Sequence, residues 1–447
     1  MKKTILLAIG ILLSINLNAQ ESMALSLDEA IDYAIENSYS AINASKDIEA
    51  AKKKKWETTT IGLPQISATV DYQNWIKQQV SLIPAEFFGG VAGEYAEVSF
   101  STKQNLSATA TLNQLIFDGS YLVGLQSAKV YLQISENAKE KTDLGIREAV
   151  INAYGNVLLS EESILILEKN IASLEKNLTE TKQIYLNGFT EEENVEQLQI
   201  TLATVKSQLS RTQKLKNIAY KMLNITLGLD INKVVLLTDT LNILSKENID
   251  LSLLSTELTI ENHIDFKIAK NTEKSNELLV KLEQSKALPT LSSYVNLAYA
   301  GYGGNNFDFL KKEQEWYNSS LLGVSLNIPI FSSLARSSRT QQAKIELEKS
   351  RTNLTETEQK LLLQLESAKT EYNYSLEELE TSKQNLALAK RIEHKQQVKF
   401  FEGISTSFEL TEAQRQLYTM QQNYLQAMLN VIANKAALDN ALNISIN

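Results

Sequence analysis

The sequence predicts a mainly helical, internally duplicated fold with a small β part, and three observations carry that prediction. The 447 residues hold only 4 prolines (Pro64, Pro84, Pro289 and Pro329), so long stretches rich in Ala, Leu, Glu, Lys and Gln run without a strong helix breaker. The chain repeats its own plan at an offset of about 215 residues. Four stretches alternate apolar and polar residues with the period of a strand.

In chain order, MKKTILLAIGILLSINLNAQ (1–20) reads as a signal peptide. Lys2 and Lys3 make a basic start, an apolar run extends from Ile5 to Leu13, and a cleavage region lies near Ala19 or Gln20. The run is too short for the ~20 residues of a spanning helix, and no later segment is expected to reach that length. Export of the mature chain follows. Losing two lysines and no acid moves the formal charge from −9 to −11, and such an acidic exported chain is a poor nucleic-acid binder. There is no cysteine, which excludes disulfides, thiolate chemistry and a lipidated N-terminal cysteine.

The duplication is read from "YLNGFTEEENVEQLQ" (185–199), which lines up with "FFEGISTSFELTEAQ" (400–414), matching Gly188 with Gly403 and Gln199 with Gln414. The same offset pairs Leu202 with Leu417, Leu223 with Leu438 and Leu227 with Leu442. Upstream, "LPQIS" (63–67) answers "LPTLS" (288–292), and "LIFDG" (115–119) answers "PIFSS" (329–333). Two copies of this length mean a duplicated domain and not a solenoid. The repeats are expected over 21–230 and 257–447, with 231–256 as a linker or equatorial region.

Each half opens with a helix, expected over 26–60 and about 257–287. Strands follow. Ile66, Ala68, Val70 and Tyr72 form one face of the first, and Leu106, Ala108, Ala110 and Leu112 one face of the second. In the second half the apolar faces are Leu291, Val295, Leu297 and Tyr299, then Leu322, Val324, Leu326, Ile328 and Ile330. The loops between them, about 76–103 and 302–318, carry Gly89, Gly90, Gly93, Gly303 and Gly304. Alternation alone favours a half-buried soluble sheet, although the strands are long enough to cross a membrane at a tilt. Four strands cannot close a barrel. If they lie in lipid, where unpaired backbone is costly, other subunits must cover the edges, and two copies or three satisfy that requirement.

Uninterrupted helices are expected next, over about 119–186 and 333–401, each on the order of 100 Å long. Ile164, Leu167, Ile171, Leu174 and Leu178 have coiled-coil spacing, and Leu361, Leu365, Ala368, Tyr372 and Leu376 continue a similar seam. Gly188 and Gly403 then permit left-handed turns, so the following helices, 191–227 and 407–443, run back alongside.

With these pieces in place, the chain resembles the TolC family of outer membrane efflux proteins over essentially the whole mature length. The resemblance rests on "LSLDEAIDYAIENS" (25–38), "LIFDG", the tips "YLNGFT" and "FFEGIS", and "LNITLGLD" (223–230), in this order within a duplicated frame. It implies a homotrimer: a 12-stranded transmembrane β-barrel with four strands per subunit, set in outer membrane lipid and continued by a long α-helical periplasmic barrel. It also implies passive conduction, with energy supplied by an inner-membrane transporter reached through a periplasmic adaptor. The tip residues Gly188, Phe189, Gly403 and Ile404 would dock that adaptor.

Counted from the tip glycine, the family's second-half acidic positions fall on Glu409 and Glu412, which would form a pore selectivity ring favouring cations. A spacing of three places both on one helical face. Taken alone, the same spacing reads as a solvated face. The first-half acidic position is Asn194 here, and the family's latching tyrosine and arginine fall on Phe400 and Ser405. Glu191, Glu192 and Glu193 at the other tip suit a helix N-terminus.

An enzyme is not expected. Two carboxylates on adjacent turns of one helix cannot flank a sugar, and His263 and His394 have no ligand-like neighbours. No cofactor or metal is expected. The alternative function is a periplasmic coiled-coil adaptor or scaffold without a membrane barrel.

Overall fold

The computed structural model describes residues 23–304, 311, 313 and 315–444. The expected signal peptide and the middle of the second strand loop lie outside the described residues. In chain order, β1 (Met23–Leu25), α1 (Leu27–Asn37) and α2 (Tyr39–Thr60) lead into β2 (Gln65–Asn74), β3 (Ser81–Pro84), β4 (Tyr95–Val98) and β5 (Gln104–Phe117). Then come α3 (Gly119–Leu186), α4 (Glu192–Leu227), β6 (Val235–Leu237), α5 (Leu241–Glu247) and α6 (Ile264–Ser285). The last elements are β7 (Thr290–Gly303), β8 (Trp316–Asn327), α7 (Ala335–Phe401) and α8 (Ser407–Ala441). The chain divides into two compact units, each drawing on both halves of the sequence. One comprises 49–134 and 271–352; the other comprises the residues up to 48, 135–270 and those from 353 onward.

The first of these units holds an antiparallel sheet in the order β2-β5-β7-β8. The expected alternation holds over part of the sheet, where the register keeps like with like, but Leu297 and Tyr299 meet Ser320 and Asn318, and β8 ends at Asn327, before the expected Ile328 and Ile330. Ile66 faces Leu112, Leu112 faces Val295, and Val295 faces Leu322, whereas the neighbouring face pairs Thr69 with Thr109, and Ala298 interrupts the polar row before Ser319. A one-residue slip in any pair would move a whole apolar set to the other face. Gly323 lies opposite Tyr294, whose ring would stand 2.4 Å from any Cβ added there, so the aromatic fills the space the glycine leaves. Among the described residues, nothing pairs with either edge of the sheet. All ten residues of β2 are exposed, as is nearly all of β8.

The first strand loop contains more than was expected, since β3 and β4 pair as a small hairpin within 76–103. At the strand-to-helix junction of the second half, Ser333 and Leu334 have positive φ (48° and 66°) and the Arg336 guanidinium donates to the Pro329 carbonyl at 2.9 Å. Those left-handed residues delay α7 from the expected 333 to Ala335.

The second unit is helical. α3 keeps the bounds expected for it, and its Tyr154 is fully buried, the hydroxyl 2.8 Å from Asp239 Oδ2 and 3.0 Å from the Leu25 carbonyl. Asp239 also accepts the Leu27 amide at 2.7 Å, which ties β1 and the start of α1 to α3. Around this group pack Ile31, Val150, Leu158, Leu223, Leu241 and Ile432. By length and composition α3 contains a stretch apolar enough to cross a membrane, against the expectation that no later segment would reach that length, and less than half of that stretch is buried.

Two helices differ from their expected form. The opening helix is broken at Ser38, whose ψ of 149° is extended, where Gly228 comes so close that an added Cβ would meet the Asn37 carbonyl oxygen. In the second half, 3-10 turns at Leu251–Ser255 and Ile260–Asn262 replace the start expected near 257, and α6 begins at Ile264, whose amide donates to Asn443 Oδ1 at 2.9 Å.

The seam of α3 is also shifted. Buried positions along it are Ser163, Leu167, Asn170, Leu174, Asn177 and Thr181, while Ile164, Ile171 and Leu178 sit half-buried on its flank. Leu167 and Leu174 pack with Leu198, Leu202 and Val205 of α4. The polar members face the other half of the chain: Asn170 donates to Gln421 at 2.8 Å and Asn177 accepts from Gln397 at 2.9 Å. On α7 the expected seam holds, with Leu361, Leu365 and Tyr372 buried and Ala368 and Leu376 partly so.

Candidate functional site

Each long helix ends in the same backbone device. Gly188 (φ 79°) follows α3 and Gly403 (φ 71°) follows α7, both left-handed as the turn requires. The Gly188 amide donates to the Tyr185 carbonyl at 2.8 Å and the Phe189 amide to Ile184 at 3.1 Å. At the other end, Gly403 donates to Phe400 at 3.0 Å and Ile404 to Lys399 at 2.8 Å. These paired bonds form the Schellman motif, which satisfies the last carbonyls of the helix before the chain reverses.

The residue after each glycine is apolar and points to solvent: Phe189 is 83% exposed and Ile404 71%. Between the two ends lies an open hollow of 750 Å³ lined by Ile184, Phe189, Asn194, Phe400, Phe401 and Phe408. Glu191, Glu193 and Glu402 stand at its wall. The structure therefore brings the four predicted tip residues to the two adjacent turns, beside a hollow whose phenylalanines are outnumbered by polar side chains such as Thr190, Gln197, Ser405 and Thr406.

Glu409 and Glu412 are both exposed on α8. Glu409 closes a capping box: the Thr406 amide donates to its Oε2 at 2.9 Å, and Thr406 Oγ1 accepts the Glu409 amide at 3.3 Å. Ser405 Oγ donates to the same Oε2 at 2.7 Å. Glu412 is gripped by Arg415 in a bidentate contact along one guanidinium edge, Nε to Oε2 at 2.9 Å and Nη2 to Oε1 at 2.5 Å. The Ser405 hydroxyl, and then the Thr406 amide, hold the Glu409 carboxyl below the usual carboxylate range, and Arg415 does the same for Glu412. Within one subunit these shifts run opposite to the rise that crowding by like charges would cause.

The remaining expected positions fall as follows. Asn194 donates to Thr190 Oγ1 at 2.7 Å. Phe400 packs edge-on against Phe401, and Ser405 bonds Gln396 as well as Glu409. Glu192 and Glu193 occupy the first turn of α4, where carboxylates favour the positive end of the helix. His263 is buried and accepts the Asp265 amide at 3.1 Å, and burial lowers its pKa. Among the described residues, no three His, Cys, Asp or Glu side chains come together as a metal site.

Sequence reasoning missed two features. The capping box was legible as Thr406-Ser407-Phe408-Glu409, the S/T-x-x-E pattern. Behind the tips, half-buried Glu393 has its pKa raised by burial, and Tyr418, also raised by burial, feels its charge. No periodic signal marks that pair.

Comparison with known proteins agrees with this architecture. A family model described as outer membrane efflux protein matches residues 256–443. The outer membrane protein TolC of Vibrio cholerae is 22% identical over 418 residues, covering 93% of this chain and 90% of its own. Among solved structures, CusC superposes with a TM-score of 0.74 at 15% identity, covering 93% of this chain and 91% of its own. The outer membrane protein VceC of Vibrio cholerae gives 0.70 at 14%, covering 93% and 96%, and the open-state MtrE outer membrane channel of Neisseria gonorrhoeae gives 0.70 at 16%, covering 93% and 88%. The matching family is one of efflux proteins, not of enzymes.

Proposed function

From a chain that resembles the TolC family of outer membrane efflux proteins along 93% of its length, we propose an outer membrane channel that passively conducts solutes from a periplasmic adaptor and inner-membrane pump to the exterior. The carrying observation is the sheet. Its apolar face is open, with Ile66, Val70, Leu322 and Val324 each at least 66% exposed, and both of its edges are unpaired among the described residues. In water such a sheet is an aggregation hazard. In lipid the apolar face is solvated, and the edges must be closed by further copies.

Three copies make a 12-stranded barrel, the size the resemblance favours over two. The shared order of helix, strand pair, long helix, tip and return helix supports a duplication with repeats over 21–230 and 257–447 and a linker over 231–256. Phe189 and Ile404, presented by Gly188 and Gly403, form the adaptor-docking surface. Glu409 and Glu412, three of each around the axis, form the cation-selective ring.

The test is migration of the detergent-extracted protein before and after heating, followed by recording in planar bilayers. The expected result is a heat-dissociable trimer that conducts. A chain that runs as monomer at all temperatures and gives no current would return the protein to the scaffold reading, which needs no barrel.

A further inference from the structure

Where α4 meets the segment that follows it, the surface is locally basic although the whole chain carries a formal charge of −9. An open hollow of about 500 Å³ lies there between the later turns of α4 and residues 231–236. Lys216, Lys221 and Lys233 line it against a single carboxylate, that of Glu161. Glu161 is already engaged. The Tyr220 hydroxyl donates to its Oε1 at 3.0 Å, and Lys216 Nζ stands 3.0 Å from the same oxygen. Among the described residues, no carboxylate forms an ion pair with Lys221 or Lys233.

The far wall of the hollow is fixed in place. Asn224, buried on α4, donates through Nδ2 to the carbonyls of Ile231 and Lys233 at 3.2 and 2.8 Å. β6 continues from that wall and, among the described residues, pairs with β1 alone. One residue past β6, the Thr238 amide donates to the Leu25 carbonyl at 3.1 Å. By the two-residue period of a strand, the backbone groups of Val235 and Leu237 therefore turn away from β1. Val234 and Leu236, also two residues apart, are 46% and 50% exposed.

We propose that this face takes an extended acidic peptide segment of a partner protein, added as a third strand beside β6. Three features select that occupant. The backbone groups of Val235 and Leu237 offer pairing in strand register, which a peptide can return and a free anion or a lipid headgroup cannot. Val234 and Leu236 offer apolar contact to every second side chain of such a strand. Lysines beside a sheet edge deter neutral and basic strands, whereas carboxylates on the incoming segment are drawn to Lys221 and Lys233. The edge is short, so binding in about the micromolar range is expected.

The test titrates the full-length protein in detergent into a fluorescein-labelled hexapeptide that alternates valine and glutamate, with anisotropy as the readout. Binding should weaken roughly ten-fold or more when glutamine replaces glutamate in the peptide, and by a similar factor in Lys221→Gln with Lys233→Gln. Circular dichroism of that double variant should match the unmodified protein. N-methylation of one alternate set of peptide amides should abolish binding and methylation of the other set should spare it, because only one set faces β6. Equal binding of the glutamine peptide, no loss in the double variant, or equal tolerance of both methylation sets overturns the proposal. So does a protein that binds no peptide and whose Leu236→Glu variant loses oligomer mass by light scattering, since a second copy would then cover the face. None of these outcomes bears on conduction, which the bilayer recordings test separately.

Discussion

At the first hairpin end α4 begins on Glu191, whose side chain makes no capping bond, and Asn194 turns back to Thr190. At the second end, 215 residues later, α8 begins on Thr406, and Glu409 returns the bond in a capping box. The turns that precede these helices are the same, down to the pairs of carbonyls that accept the amides of the glycine and its successor. Backbone reversal is thus common to both ends and helix initiation is not. The difference teaches that Glu409 has a local structural task before any pore task, since all its bonds from Ser405 and Thr406 end on Oε2.

The largest effect is expected where the ends agree. No atom lies within 4 Å of a Cβ built at Gly188 or Gly403, so substitution there meets only the cost of positive φ. Gly188→Val and Gly403→Val should each cost about 1–2 kcal/mol or more, and Gly→Asn far less, because asparagine visits the left-handed region and β-branched residues do not. Thermal unfolding followed by circular dichroism checks this. Equal losses for Asn and Val at either end would mean that the turn geometry is not what the glycine supplies.

A smaller effect should separate the ends. Thr406→Ala removes the cap of α8 and should cost ~1 kcal/mol, whereas Glu191→Ala should change little. Hydrogen exchange at the amides of Ser407–Glu409 and of Glu192–Asn194 reads the two sites independently. The comparison sharpens if Glu191→Thr with Asn194→Glu installs a capping box at the first end, with protection rising there toward that of the second.

Next comes the ring. Glu409→Gln with Glu412→Gln keeps shape and helix propensity, and glutamine can still complete the capping box. Cation selectivity and block by multivalent cations should fall together in planar bilayers, with trimer yield little changed. Unchanged selectivity would leave Glu409 with its capping task alone and Glu412 with its arginine.

The least change is expected on mild acidification. Both carboxyls titrate below the ordinary 4.5 in the folded subunit. What their charge contributes is therefore intact above pH 4.5 and disappears as pH falls through the lower folded values. Selectivity should stay flat from neutral pH down to about 4.5 and fall below it. If selectivity already declined well above 4.5, repulsion between neighbouring subunits would be overriding the local bonds from Ser405, Thr406 and Arg415.

Much of this molecule is legible from local pattern. The bounds of α3, the reversal at Gly188 and Gly403, the four alternating strands and the seam of α7 each follow from a periodicity or from a φ restriction carried by a few neighbouring residues. The capping box was equally legible at Thr406-Ser407-Phe408-Glu409. The break at Ser38 was not, because it depends on Gly228, some 190 residues away, pressing against the Asn37 carbonyl. Nor was the start of α6, which waits for Asn443 to accept the Ile264 amide. The apolar spacing of α3 pointed to Ile164, Ile171 and Leu178, yet Ser163, Asn170 and Asn177 are the residues enclosed, and glutamines of the second half meet all three. Hydrophobic period places a stripe on a helix, but which edge of the stripe is covered depends on the partners folded against it. Those partners are brought there by tertiary packing, from parts of the chain that no local pattern of α3 can anticipate.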